Sequence, residues 1–250
     1  MKNFIMKAFV IASITSVISC TNDNDPLPIV PTGGLVPKTI ERSYSQGWPT
    51  STVTYTYDGN KIKEININPQ PDVSKGKFTY TGDNITKLEV FSGPNFTPYT
   101  VSTFEYANDK LSKVTSIYNS NTTVRNYTYN TDGTVTEVTT GAYNSNKKYT
   151  LSSGNIAKTE YLDNNGNVVS TDTATFDAKN NIHKNITGLS KIFNLEGLFW
   201  DLIQADANNR LIYNQGTINT IYTYEYNSDG YPTKRVETKG TNTTTSVITY

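Results

Sequence analysis

The 250-residue sequence contains one cysteine and one histidine. A single thiol, Cys20, can close no intrachain disulfide. A single imidazole, His183, can build no histidine-rich zinc site and leaves hydrolytic triads and thiol enzymes almost without material. His183 follows "NNI", where comparable stretches carry Lys or Ser, and that context predicts an exposed turn residue. An excess of charge is lacking too. With 22 basic and 22 acidic residues no basic face is implied, and a nucleic-acid partner is disfavoured. Beyond the N-terminal stretch, no apolar run approaches the roughly 18 residues of a membrane-spanning helix. No glycine-rich phosphate loop precedes a helix, so nucleotide binding has no support, and neither a cofactor nor a metal is expected.

What apolar length there is lies at the start. Lys2 and Lys7 form a positive n-region, and "AFVIASITSVIS", residues 8–19, is too short to cross a bilayer as a mature helix. The run ends in Val17-Ile18-Ser19-Cys20, which resembles a bacterial lipobox. That resemblance implies a lipoprotein signal peptide over residues 1–19, cleavage before Cys20 and acylation of Cys20; an ordinary secretory signal with a cysteine nearby is the plainer alternative. Loss of Lys2 and Lys7 takes the basic count from 22 to 20 against 22 acidic residues. Residues 20–37 then read as the acylated cysteine and a disordered tether, with Pro26, Pro28, Pro31, Pro37 and a Gly33-Gly34 pair. Asp23 and Asp25 resemble the acidic signals that send Bacteroidetes-type lipoproteins to the cell surface. The expected product is a soluble body, residues 38–250, held at the outer membrane or cell surface by its lipid.

That body is repetitive. "YTYDGNKIKEI" at residues 55–65 recurs in weaker copies as far as "YEYNSDGYPTK". Aligned on the last aromatic of the front half, the copies fall at Tyr57, Tyr80, Tyr106, Tyr129, Leu151, Phe176, Ala205, Tyr226 and Tyr250, with a mean interval of about 24 residues. Each front half alternates aromatic residues with Thr or Glu: Tyr55/Tyr57, Phe78/Tyr80, Phe104/Tyr106, Tyr127/Tyr129 and Tyr224/Tyr226. Period two with aromatic and β-branched residues means a strand with one aromatic face. A turn rich in Gly, Asn and Asp follows, as in "DGN" and "NSDG". Each back half then places aliphatics three apart: Ile62/Ile65, Ile85/Leu88, Leu111/Val114 and Val135/Val138. Three is the wrong parity for a flat strand, so the first aliphatic is expected to cover the hairpin end and the second to start the inward face, with a bulge between them. A short helix would also allow the spacing, but Thr-rich runs such as "TVTEVTT" favour strands.

The whole is an all-β, antiparallel meander of repeated β-hairpins, about seventeen strands by this count. At ~4.8 Å per strand it would be a ribbon near 80 Å wide, which must twist strongly or close on itself. Residues 38–43 form a back half with no front half before it, and residues 246–250 a front half with no back half after it. The two halves are complementary, and closure predicts that they pair antiparallel.

The Tyr-x-Tyr-Asp-x-x-Gly/Asn phrase, followed by an aliphatic, is similar to the YD repeats of Rhs-type proteins. "TFDAKNNIHKNITGL" and "YTYEYNSDGYPTKRVET" resemble short Bacteroidetes-type surface lipoproteins built from such units. The resemblance covers residues 38–250. It implies β-sheet shells and a surface location, and it supplies no catalytic residues.

One unit departs from the pattern. "GLSKIFNLEGLFWDLI" carries Leu189, Ile192, Phe193, Leu195, Phe199, Leu202 and Ile203 at helical spacing, predicting a short helical insertion near 188–204. It reads either as a helix packed on the sheet through its Leu189, Phe193, Phe199 and Ile203 side, or as a plug over a ligand cavity. Turn carboxylates recur at Asp58, Asp83, Asp109, Asp132, Asp177, Asp206 and Asp229; hairpin chemistry explains them, with a glycoside hydrolase the competing use. "DNNGN" at Asp163 starts like a calcium loop but has Val168 where the loop needs Gly. The aromatic pairs remain, Tyr55, Tyr57, Phe78, Tyr80, Phe104, Tyr106, Tyr127, Tyr129, Tyr224 and Tyr226. They form either the apolar side of the sheet or a ligand face on which sugar rings could stack. The expected function is a non-enzymatic surface lipoprotein binding a glycan, peptide or partner protein. The alternative is a structural or accessory subunit of an outer-membrane assembly.

Overall fold

The computed structural model describes residues 34–68, 74–92, 97–142, 144–193 and 206–250, all within one compact unit, Pro31–Tyr250. The expected signal peptide, Cys20 and most of the tether lie outside the described residues. The tether's last four residues do not hang free: Pro37 is buried and Val36 packs against the core.

Sixteen antiparallel strands close into a barrel in which every strand pairs with its neighbours in sequence. Strand β1 (Thr39–Tyr44) leads into hairpins β2 (Ser51–Asp58) with β3 (Lys61–Asn68), and β4 (Ser74–Thr81) with β5 (Asn84–Ser92). Next come β6 (Thr97–Ala107) with β7 (Lys110–Tyr118), and β8 (Asn121–Tyr129) with β9 (Val135–Gly141). They are followed by β10 (Ser145–Ser152) with β11 (Asn155–Leu162), and β12 (Val168–Phe176) with β13 (Arg210–Gln215). The wall ends with β14 (Ile218–Tyr226), β15 (Pro232–Lys239) and β16 (Asn242–Thr249).

The ends meet as expected. Strand β16 pairs with β1 from Thr39↔Thr249 to Tyr44↔Thr244, and the Lys38 backbone N–H donates to the Thr249 carbonyl at 2.7 Å. Closure removes both sheet edges, each of which would leave a row of backbone donors and acceptors unpaired.

Turn chemistry and bulges set the register. The β6–β7 turn holds Asn108 and Asp109 at φ of 51° and 61°, a two-residue hairpin geometry that Asn and Asp tolerate. The ladder shifts by one residue between Thr56 and Tyr57, Thr79 and Tyr80, and Glu105 and Tyr106. Each shift is the expected bulge, and it puts Ile62 and Ile65, Ile85 and Leu88, and Leu111 and Val114 all inside.

Strand β9 departs from that expectation. Its turn runs through residues 130–134, and the β8–β9 ladder is continuous from Tyr129↔Val135 to Thr123↔Gly141. The longer turn does the work of the bulge, so simple alternation resumes. Val138, expected inside, faces outward at 41% exposure, and Glu137 lies inside with none.

Among the described residues sixteen strands stand where about seventeen were expected; the unit anchored at Ala205 lies largely outside the described residues. Phe176 pairs directly with Arg210, and residues 177–209 form an insertion between β12 and β13. Of the expected helix at 188–204, the described part is one 3-10 turn, Leu189–Lys191; residues 194–205 lie outside the described residues.

Candidate functional site

The barrel wall has two chemistries. Outside, threonine and charge are frequent: Thr52, Thr54, Lys77, Lys87, Glu89, Lys113 and Glu160 lie on the face opposite the buried positions, with Ile117, Val138, Ile212, Ile221 and Val247 as exposed apolar residues among them. Ion pairs tie this outer face together, Lys75–Glu64 at 2.8 Å, Lys113–Glu105 at 2.9 Å and Lys234–Glu225 at 2.8 Å. Inside, the front strands are layered from the Tyr-Asp turns inward. The first two inward positions are aromatic or aliphatic, as Tyr80/Phe78, Tyr106/Phe104, Tyr129/Tyr127 and Tyr250/Ile248. The next are small or charged: Gly76 and Ser74, Ser102 and Thr100, Arg125 and Thr123, Ser246.

The described part of the insertion, residues 177–193 and 206–209, packs into the aromatic end of the barrel as a plug. Ile182, Ile186, Leu189 and Ile192 are buried in the same cluster as Ile62, Leu88 and Tyr127, and Phe193 stacks on Tyr127 and Tyr149 at centroid distances of 5.6 and 5.3 Å. Its backbone is pinned to the hairpin turns. Thr187 donates to the Asn60 carbonyl at 3.0 Å, Asn180 to Gly230 at 3.0 Å and Ala207 to Gly154 at 3.2 Å. Lys191 reaches Asn84 at 2.7 Å and pairs with Asp109. Gly188, at φ 76°, passes so close to the Asp83 carbonyl that a Cβ would clash, which only glycine avoids.

The expected ligand face is therefore turned inward, around this plug. Tyr55, Phe78, Phe104 and Tyr127 are buried; Tyr57, Tyr80, Tyr106, Tyr129, Tyr224 and Tyr226 are half-buried. Their hydroxyls serve the wall, the insertion and the chain leading into β1. Tyr57 donates to the Pro37 carbonyl at 2.8 Å, Tyr80 to Thr187 at 3.1 Å, Tyr106 to Ile85 at 2.8 Å and Tyr224 to Arg210 at 2.8 Å, while Tyr226 bonds Asp177. Among the turn carboxylates, Asp58, Asp83, Asp109, Asp132 and Asp229 sit at exposed turns. Asp177 and Asp206 hold the insertion's ends, Asp206 by bonding the Ile156 N–H and the Arg210 guanidinium, both at 2.9 Å. Among the described residues no cluster of His, Cys, Asp and Glu is arranged to hold a metal.

His183 corrects an expectation. It is not an exposed turn residue; it is 5% exposed inside the plug, sharing a 3.3 Å hydrogen bond with the Tyr55 hydroxyl. "NNIH" does not make a hairpin here, and the chain folds back into the barrel. Burial, aided by the nearby Arg235 charge, lowers the His183 pKa from 6.5 to about 3. The unfolded chain binds its proton near pH 6.5 and the folded chain only near 3, so stability rises with pH between these values. The contribution is complete above pH 6.5 and is lost as pH falls toward 3. A fall from pH 6.5 to 5 should cost about 1.5–2 kcal/mol through this single group. His183→Asn should flatten the stability profile over that interval in chemical denaturation; parallel profiles for the two proteins would refute the assignment.

Farther from the turns, several inward side chains are charged. Glu137 accepts from the Tyr149 hydroxyl at 2.7 Å and the Thr139 hydroxyl at 3.1 Å, with Lys147 at 3.6 Å. Asp172 accepts from Tyr213 at 2.7 Å and Tyr161 at 3.0 Å. Burial, with the Asp172 charge beside it, pushes the Tyr161 phenol up to about 12. Arg125 donates to Ser116 at 3.3 Å, and on the β15–β16–β1 side Arg235, Ser246 and Arg42 face inward. None of these was singled out from sequence, although a signal existed: Arg125, Lys147 and Ser246 each lie two residues before an inward aromatic or aliphatic and share its parity.

No known protein family matches the sequence, and no curated protein matches it. Among solved structures, the chain is similar to a porin-like protein from Bacteroides uniformis, with a TM-score of 0.50 at 16% identity over 85% of this chain and 97% of that one. The likeness is one of fold.

Proposed function

We propose that the protein is a non-enzymatic lipoprotein of the outer membrane or cell surface, held by acylated Cys20, whose barrel stands in water and binds a ligand at the end opposite the plug. The ligand is a glycan, a peptide or a segment of a partner protein that presents polar groups to a polar lumen wall.

The observation that carries this reading is the chemistry of the outer wall. A barrel that crosses a bilayer needs an apolar outward band about 25 Å tall, and each lysine at its midplane costs about 2–4 kcal/mol. Here mid-strand outward positions include Lys77, Lys87, Lys113, Lys148 and Lys158 and the acidic Glu64, Glu89, Glu105 and Glu160, interspersed with apolar Val138, Ile221 and Val247. Such a wall is at home in water, and attachment then falls to the lipid. Among the described residues, Trp48 and Tyr118 are exposed at the end away from the plug, whereas the repeat-column aromatics are buried or half-buried.

The accessory-subunit reading has one observation in its favour, the outward Ile212↔Ile221 pair with exposed Ile218 nearby.

Full-length protein carrying Cys20→Ser should leave the membrane fraction and stay folded and soluble without detergent. Retention in the membrane and a need for detergent would overturn both the lipid anchor and the water-exposed barrel.

A further inference from the structure

We propose that Arg42, Arg235 and Ser246 form a binding site on the lumen wall for one anionic group of the ligand, a carboxylate, sulfate or phosphate. The inference rests on the reading above, in which the end away from the plug admits a ligand.

Register brings the three together. Ser246 on β16 is paired with Arg42 on β1 and with Arg235 on β15, so the side chains lie in one row across three adjacent strands. The arginine backbones are then about 10 Å apart with the serine hydroxyl between them, a gap that two long guanidinium side chains can close around a small oxyanion. Arg42 Nε, Arg235 Nε and Ser246 Oγ are all buried without a hydrogen-bond partner. More than nine in ten buried polar groups in proteins are partnered, and a donor left unpaired is costly. Three in one row on one wall mark a missing acceptor.

The surroundings select the sign. Among the described residues, the carboxylate facing this row is Glu237, which approaches Arg235 at 3.9 Å, too far for a hydrogen bond, and leaves the pair of guanidiniums with excess positive charge. Tyr44 lies beside Arg42, ring centroid 5.9 Å from the guanidinium carbon, and spends its hydroxyl on Ser51 at 3.0 Å. On the plug side stand Tyr55 and His183, the latter kept neutral by burial. The carboxylates elsewhere in the lumen, Glu137 and Asp172, are already bonded by tyrosine hydroxyls. Guanidinium N–H groups are donors only, so a cation or an apolar group cannot satisfy them; a planar or tetrahedral oxyanion can, with two parallel bonds. The row lies at the edge of solvent. Arg235 is 8% exposed, whereas Arg42 and Glu237, the next inward residue away from the plug, are half-buried.

The test uses the full-length Cys20→Ser protein, with calorimetric titration and thermal unfolding in sulfate, phosphate, galacturonate and glucose at constant ionic strength set with chloride. At least one of the three anions should bind and raise the melting temperature, and neutral glucose should not; which anion binds most tightly names the source of the charge. Ser246→Ala, the mildest change, should weaken that binding, and Arg42→Gln should weaken it by about ten-fold or more. Lys77→Gln on the outer wall should leave it unchanged. Binding by none of the anions, or equal binding by the wild type and both lumen variants, would overturn the site. A protein that is soluble without detergent yet binds no anion would remove this inference alone, whereas a detergent-requiring protein would remove the reading beneath it.

Discussion

Removal of residues 242–250 should unfold the barrel and not merely trim it. Strand β16 is hydrogen-bonded on both sides, to β15 from Lys239↔Asn242 to Lys234↔Val247 and to β1 from Tyr44↔Thr244 to Thr39↔Thr249. Ile248 is buried opposite Ile40, and each isoleucine contributes about 1.5–3 kcal/mol by burial. Tyr250 packs edge-on against Tyr231 at 5.7 Å and donates to the Pro232 carbonyl at 3.0 Å. Their joint loss is comparable to the 5–15 kcal/mol by which whole domains are stable, and it also opens two long edges prone to pairing with other chains. Hydrogen exchange locates the effect. In the truncated protein, amides of Thr39–Tyr44 should lose protection although they lie some 200 residues away in sequence. Protection retained in β1, with fraying confined to β15, would mean that closure contributes little.

The closure was readable because the repeat leaves complementary halves at its two ends. The bulges were readable for a related reason. In a sheet lined on one side, aliphatics at Ile62 and Ile65 cannot both face the core unless one residue, Lys63, is squeezed out between them. The same argument misplaced Val138, since turn length and bulge are interchangeable ways of setting register. Only the pairing tells that the turn through residues 130–134 had replaced the bulge. Glu137 reached the interior as a consequence, and a buried glutamate partnered by a tyrosine twelve residues on is invisible to a period-two reading anchored on the wrong residue.

The candidate site was less legible than the fold, and the causes are specific. The aromatic columns announced a face but not its direction, because in a closed barrel the same alternation fits rings turned toward solvent or toward the axis. The ion pairs of the outer wall decide that question, and they form across strands, Lys75 with Glu64 between neighbouring hairpins and Lys113 with Glu105 within one. His183 was misjudged because its local sequence is turn-like; its burial depends on Tyr55, 128 residues away. Arg42 and Arg235 became neighbours only through β16, which closes the ring between them.

Leu189→Asp should destabilise the entire barrel in a single transition. Leu189 is 2% exposed and belongs to one cluster with Ile62, Ile85 and Leu88 of the wall, so an aspartate there would be a carboxylate without a partner in an apolar ring. Such a burial costs several kcal/mol. For a domain of this size each kcal/mol lowers the melting temperature by about 2–4 °C, so a fall of about 10 °C or more is expected. Phe193→Ala should cost less, since Phe193 is only half-buried, though it loses its stacks on Tyr127 and Tyr149. Gly188→Ala should also destabilise, through a positive φ and the clash with the Asp83 carbonyl. The form of the transition carries the argument. A plug that is part of the core transmits its loss to every hairpin it is pinned to, so tyrosine near-ultraviolet dichroism and far-ultraviolet dichroism should melt together. Two separated transitions, with the barrel signal unmoved, would show instead a detachable lid resting on a wall that folds without it.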